Sequence, residues 1–226
     1  MVLNSGFASA YHIFVKKKRK IIVFLAVRGA LCYNTVQMSN CKGRGEAMAR
    51  PNSKWYRLDN AGILYSALQK EEYSAIYRFS ALMEKDVDPA ALQRAIDRCM
   101  PRFPSFAVRI RKGAFWYYLE PNTAPGPYLK EDVSDPCQPV RFKEDNGWLV
   151  RFYYYRSRIS LEVFHALSDG GGAIVFFRTL LAEYLRQTGL DIPAGNGVLD
   201  LREPPRAEEL EDAYARYAGK YAIGLH

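Results

Sequence analysis

Hydrophobic and polar positions alternate or recur at helical spacing from Tyr73 onward. Tyr73 to Glu84 is rich in aromatic and branched residues and predicts a strand. Asp88-Pro89 then opens a helix. Asp88 suits the N-cap, and Pro89, with no N–H to lose, suits the first turn. Leu92, Ala95, Ile96 and Cys99 recur at helical spacing and form its core face. Pro101 and Pro104 end it. Phe106 to Lys112, Gly113, and Ala114 to Glu120 read as a hairpin. Residues 121–139 contain five prolines and no periodicity, so they read as a loop. Trp148 to Arg156 is an aromatic strand, Ser157-Arg158 a turn, and Ile159 to His165 a second strand. There Ile159, Leu161, Val163 and His165 share one face, with Ser160, Glu162 and Phe164 on the other. His165 thus continues an aliphatic row, and Glu162 is expected to face open solvent. Ser168 or Asp169 can cap a helix running to about Gln187 through Ile174, Phe177, Leu180, Leu181 and Tyr184, with Gly189 as its stop. Glu208 to Lys220 reads as a short charged helix. The order strand, helix, hairpin, strands, helix predicts an α+β fold with helices packed on a mixed sheet.

Three regions follow from this pattern: a leader over 1–47, a folded lobe over 48–190 and a connector over 191–226. The lobe opens on a lead-in segment, 48–70, with turn residues. The connector carries Pro193, Gly195, Gly197, Pro204 and Pro205. The net charge is +8 over 226 residues. Residues 1–47 hold eight Lys/Arg and one acid, while residues 48–226 hold 24 basic and 23 acidic side chains. The body is nearly neutral, so no nucleic-acid face is expected. Lys16 to Lys20 before the apolar run Ile21 to Val27 resembles a signal peptide, although the run falls far short of the ~20 apolar residues of a membrane span. The composition shift at Met48 favours a mis-assigned start over secretion, and a membrane anchor ranks last. No strand or helix that the core would need is expected in the leader. Cys32, Cys41, Cys99 and Cys137 show no paired spacing, so neither zinc nor a disulfide framework is expected. Reduced thiols in the cytoplasm are the simpler reading.

The candidate chemistry lies in Phe164-His165-Ala166-Leu167-Ser168-Asp169-Gly170-Gly171-Gly172. His165 is the one histidine in the folded region, since His12 lies in the leader and His226 ends the chain. A general base working near neutral pH is most readily a histidine. Taken alone, a strand-end histidine is more often satisfied by a backbone carbonyl, Asp169 can be a plain N-cap, and Arg109 can be a solvated strand arginine. Trp116, Tyr117 and Tyr118 with Trp148, Tyr153, Tyr154 and Tyr155 read as sheet packing rather than a ligand platform.

His165-Ala166-Leu167-Ser168-Asp169-Gly170 resembles the HxxxDG signature of the chloramphenicol-acetyltransferase-like superfamily. That group includes BAHD acyltransferases, alcohol acetyltransferases and the condensation domains of peptide synthetases. Condensation domains commonly read HHxxSDG; here Phe164 stands at the first position while Ser168-Asp169-Gly170 matches. Asp88-Pro89-Ala90-Ala91-Leu92 through Arg102-Phe103-Pro104-Ser105-Phe106 is similar to the superfamily's early helix and following strand. Residues 54–220 most closely resemble the N-terminal half of bacterial alcohol-acetyltransferase-like proteins. The resemblance implies a chloramphenicol-acetyltransferase-like half fold and acyl transfer from acyl-CoA, as co-substrate, to a small alcohol. His165 would be the base. Asp169 would be architectural, ion-paired with Arg109 or, second, Arg102. Gly170 and Gly171 would keep the channel floor clear. It also implies a second lobe, or a homo-oligomer, to complete the tunnel: the DFGWG motif of BAHD enzymes does not occur here. The alternatives are an inactive half-domain that binds a partner, and a condensation-type domain using a carrier-protein thioester.

Overall fold

The computed structural model describes residues 9–15, 19–27, 56–57, 75–113, 117–140, 145–168 and 170–206. Strands β1 (Ser9–Val15), β2 (Arg19–Val27), β4 (Ile76–Leu82), β9 (Arg158–Phe164), β8 (Val150–Tyr155) and β7 (Leu129–Glu131) form one sheet in that spatial order. Strands β3 (Tyr56–Arg57), β6 (Tyr117–Pro121) and β5 (Val108–Lys112) form a second. Helices α1 (Pro89–Cys99) and α2 (Gly170–Gln187) pack together. The large sheet is mixed: β7 runs parallel to β8 and its other neighbours are antiparallel. The expected α+β class holds.

Local chemistry explains the helix ends. The Asp88 side chain accepts from the Ala90 and Ala91 N–H groups, and Pro89 follows as expected. Ala91, Leu92, Ala95, Ile96 and Cys99 are its buried face. A single 3-10 turn, Met100–Arg102, carries the chain out of α1 where Pro101 cannot continue it. α2 ends through Gly189, at φ +89, with Leu190 N–H donating to the Leu185 carbonyl.

Strand alternation divides the large sheet into two faces. Tyr77, Phe79 and Ala81 of β4, Ile159, Leu161 and Val163 of β9, and Val150 and Phe152 of β8 meet Leu92, Ile96, Phe176, Phe177 and Leu180 of the helices. Each fully buried side chain of this kind contributes about 1.5–3 kcal/mol. The other face meets the second sheet through Ile76, Phe164, Leu149 and Val108, with Cys137 and Val140 closing over it.

Four expectations are corrected. Glu162 does not face solvent; it is 2% exposed, with Arg78 and Arg151 directly opposite on the flanking strands. Opposite charges in cross-strand register hold it inside. The loop expected over 121–139 contains β7, whose three residues pair in parallel with Phe152, Tyr153 and Tyr154. So short a parallel strand is specified by its distant partner rather than its own pattern. The leader contributes β1 and β2, and β2 pairs along β4 from Ile22↔Leu82 to Val27↔Tyr77. The branched, apolar run from Ile21 has strand propensity of its own, and β4 offers it an edge. The β8–β9 turn is Arg156-Ser157, one residue earlier than expected, since Tyr155 pairs with Arg158. The expected helix from Glu208 and most of the lead-in segment lie outside the described residues.

Candidate active site

β9 ends at Phe164, and His165 begins the turn into α2. The His165 N–H donates to the Ala75 carbonyl at 2.8 Å, and Leu167 N–H donates back to the Phe164 carbonyl at 2.8 Å. The imidazole is half-buried and lies against the Tyr77 ring, with centroids 4.8 Å apart and planes at 59°. The Tyr77 hydroxyl donates to the Ser168 carbonyl at 2.9 Å. Tyr77 is itself held edge-on by Phe79 at 5.7 Å, and Phe79 stacks on Phe177 of α2 at 6.1 Å. The turn is thereby tied to the middle of the sheet.

Asp169 lies outside the described residues. Gly170 opens α2 on the exposed side, and Gly171 is half-buried. A Cβ built on Gly170 would meet nothing within 4 Å. Arg109 of β5 pairs with Glu120 at 2.6 Å, as does Arg111 at 2.7 Å. Arg111 and Arg109 together hold the Glu120 carboxyl below the usual range. No described contact carries Arg109 to the 165–168 turn. Arg102 is placed differently. It is 3% exposed, its Nε donates to the Asp200 carbonyl, and its guanidinium lies 5.9 Å from the Phe103 ring centre. Phe103 in turn meets Phe176, two turns into α2, at 4.8 Å. Arg102 is therefore a buried cation on the helical side of the sheet.

Other nucleophiles are poor candidates. Cys99 and Cys137 are buried thiols outside any disulfide among the described residues. Burial, then the nearby Glu183 charge, pushes the Cys99 thiol up to about 12, so it stays protonated and unreactive at neutral pH. Tyr153 is likewise pushed up to about 12 by burial and the Glu162 charge. Among the described residues, no three His, Cys, Asp or Glu side chains come together to hold a metal ion, and no helix is long and apolar enough to cross a membrane.

Sequence reasoning missed Tyr77 as a neighbour of His165. Its signal was available in strand phase. Antiparallel pairing of β4 with β9 sets Tyr77 opposite Val163, two residues before His165 and on the same face.

The fold built around this turn is similar to part of the condensation-domain fold. The starter condensation domain of rhizomide synthetase RzmA superposes with a TM-score of 0.51 at 16% identity, over 63% of this chain and 40% of that one. The X-domain from teicoplanin biosynthesis, in its complex with OxyB, gives 0.53 at 16% identity over 69% and 38%. A doubly substituted RzmA starter domain in complex with C8-CoA and Leu-SNAC gives 0.50 at 14% identity, over 63% and 38%. The chain thus spans about two fifths of the length of these structures. No protein-family model matches the chain, and no curated protein matches it.

Proposed function

We propose that this chain supplies the base-bearing wall of an acyltransferase that moves an acyl group from an acyl-CoA thioester to a small alcohol. The observation that carries the reading is the position of His165. Its HxxxDG sequence falls at the strand-to-helix turn of a condensation-domain fold, with the ring packed but not fully buried. In the reaction, His165 takes the hydroxyl proton as the acceptor oxygen attacks the thioester carbonyl. The tetrahedral adduct then collapses, the C–S bond breaks, and the imidazolium returns the proton to the leaving thiolate. An RzmA starter domain bound to C8-CoA and Leu-SNAC has this fold, which supports a thioester donor.

Asp169 serves as architecture in this reading. Arg102 is the better partner for it than Arg109, because Arg109 is engaged by Glu120 on the other sheet. The open space before Gly170 supports a clear floor under the donor. A water-excluding site needs a second wall, supplied by another lobe or a second copy of the chain.

The test is thiol release from acetyl-CoA with simple alcohols, by this chain alone and joined to a second lobe. His165→Ala should lower turnover by ~10²–10⁴-fold without moving the melting transition. Near-normal turnover in that variant overturns the assignment. A second reading, a partner-binding module, draws on the likeness to an X-domain seen in complex with OxyB. Thiol release from no form of the protein would select it.

A further inference from the structure

We infer that Tyr77 is a positioning residue for His165: its ring backs the imidazole, and its hydroxyl fastens the far end of the turn that carries it. The inference rests on the proposed role of His165 as base. Tyr77 is 2% exposed in the centre of the large sheet. Two residues of one segment, Ala75 and Tyr77, hold both ends of the turn. The Ala75 carbonyl takes the His165 N–H at 2.8 Å. The Tyr77 ring lies 4.8 Å from the imidazole, and its hydroxyl reaches the Ser168 carbonyl at 2.9 Å. The first residue of the turn is thus held by backbone and side chain, and the last by its carbonyl.

The residue type matters. Phenylalanine would fill the same core space and withdraw this donor from the Ser168 carbonyl. Leucine would remove the ring face as well. On its other side the turn runs towards α2, which begins with Gly170-Gly171-Gly172. Glycines constrain backbone weakly, so the contacts from the strand side add stiffness to the turn. Stiffness has consequences for a base, because a displacement of about 1 Å can lower a rate ~10²-fold.

The test uses the 226-residue chain with Tyr77→Phe, Tyr77→Leu and His165→Gln, each first checked for an unshifted melting transition. Diethyl pyrocarbonate labels neutral imidazole, and the rate at His165 is read by peptide mass spectrometry. Tyr77→Leu should label severalfold faster than the parent, and Tyr77→Phe should fall between them. If the leucine variant does not fold, the phenylalanine variant carries the test. In the thiol-release assay, run on the chain joined to a second lobe, Tyr77→Phe should lower kcat about tenfold and leave KM within about twofold. Equal labelling at His165 in the parent and the folded Tyr77 variants overturns the positioning role, and so does an unchanged kcat. Thiol release that survives His165→Gln overturns the base instead, and labelling alone then decides whether Tyr77 holds the turn.

Discussion

Gly170 separates two reasons for a glycine. Gly197 has a structural one: it sits at φ +83, and a Cβ there would come within 2.9 Å of the Arg178 guanidinium. Gly170 has neither feature, since its φ is not left-handed and its Cβ direction is empty for 4 Å. A glycine at a helix start with no local requirement leaves the helix less stable than alanine would. The proposed site supplies the missing reason, a donor passing close to the backbone. Gly170→Ala should therefore raise stability by about 0.5 kcal/mol in chemical denaturation while lowering thiol release. A variant that gains stability and keeps full turnover would remove Gly170 from the channel floor.

Among the elements, the least visible from sequence is the ionic seam beneath the 132–140 loop. Arg78 on β4 donates to Asp132 at 2.8 Å and to Glu162 on β9 at 2.9 Å. Glu162 also accepts the Cys137 N–H at 2.6 Å, and Arg151 on β8 donates to the Gln138 and Pro139 carbonyls at 2.8 Å. Asp132 is further paired with Arg158, and Asp145 joins Arg151 to Lys130. Breaking such a buried pair is destabilising because it strands the partner charge. Glu162→Gln should cost about 3 kcal/mol in urea unfolding and free the loop to amide exchange. A cost near zero would mean that Arg78 is fully served by Asp132. The sequence showed Glu162 only as the polar partner of an aliphatic row, because strand phase tells which residues share a face and not what covers it. Asp88 and the apolar face of α1 were legible because both are local. The pairing of Arg109 with Asp169 is an expectation of the resemblance alone; Glu120, eleven residues on across the hairpin, is legible in the sequence as a competing carboxylate.

At the scale of the molecule, the two faces of the large sheet are covered by different means. Helices and the connector cover one. The connector is fastened by Leu199 N–H to Thr179 Oγ1 at 3.0 Å, by Arg186 to the Ile192 carbonyl at 2.8 Å, and by Leu199 and Leu201 packing on the core. The second sheet and the 132–140 loop cover the other. The lateral edges are a separate matter. β7 protects one edge with three residues, two of them charged. The other flank of β4 is occupied by β2, from the segment expected to contribute nothing. A chain beginning at Met48 lacks β1 and β2, and the ladder from Ile22↔Leu82 to Val27↔Tyr77 goes with them. The unpaired N–H and C=O groups of β4 then form a template for another strand. Leu82, already 42% exposed, lies at its end. The shortened chain should melt lower and self-associate, read by calorimetry and by light scattering at increasing concentration. A monodisperse shortened chain with an unchanged melting transition would show that the hairpin adds nothing to the sheet, and that the composition shift at Met48 marks the true edge of the folded unit.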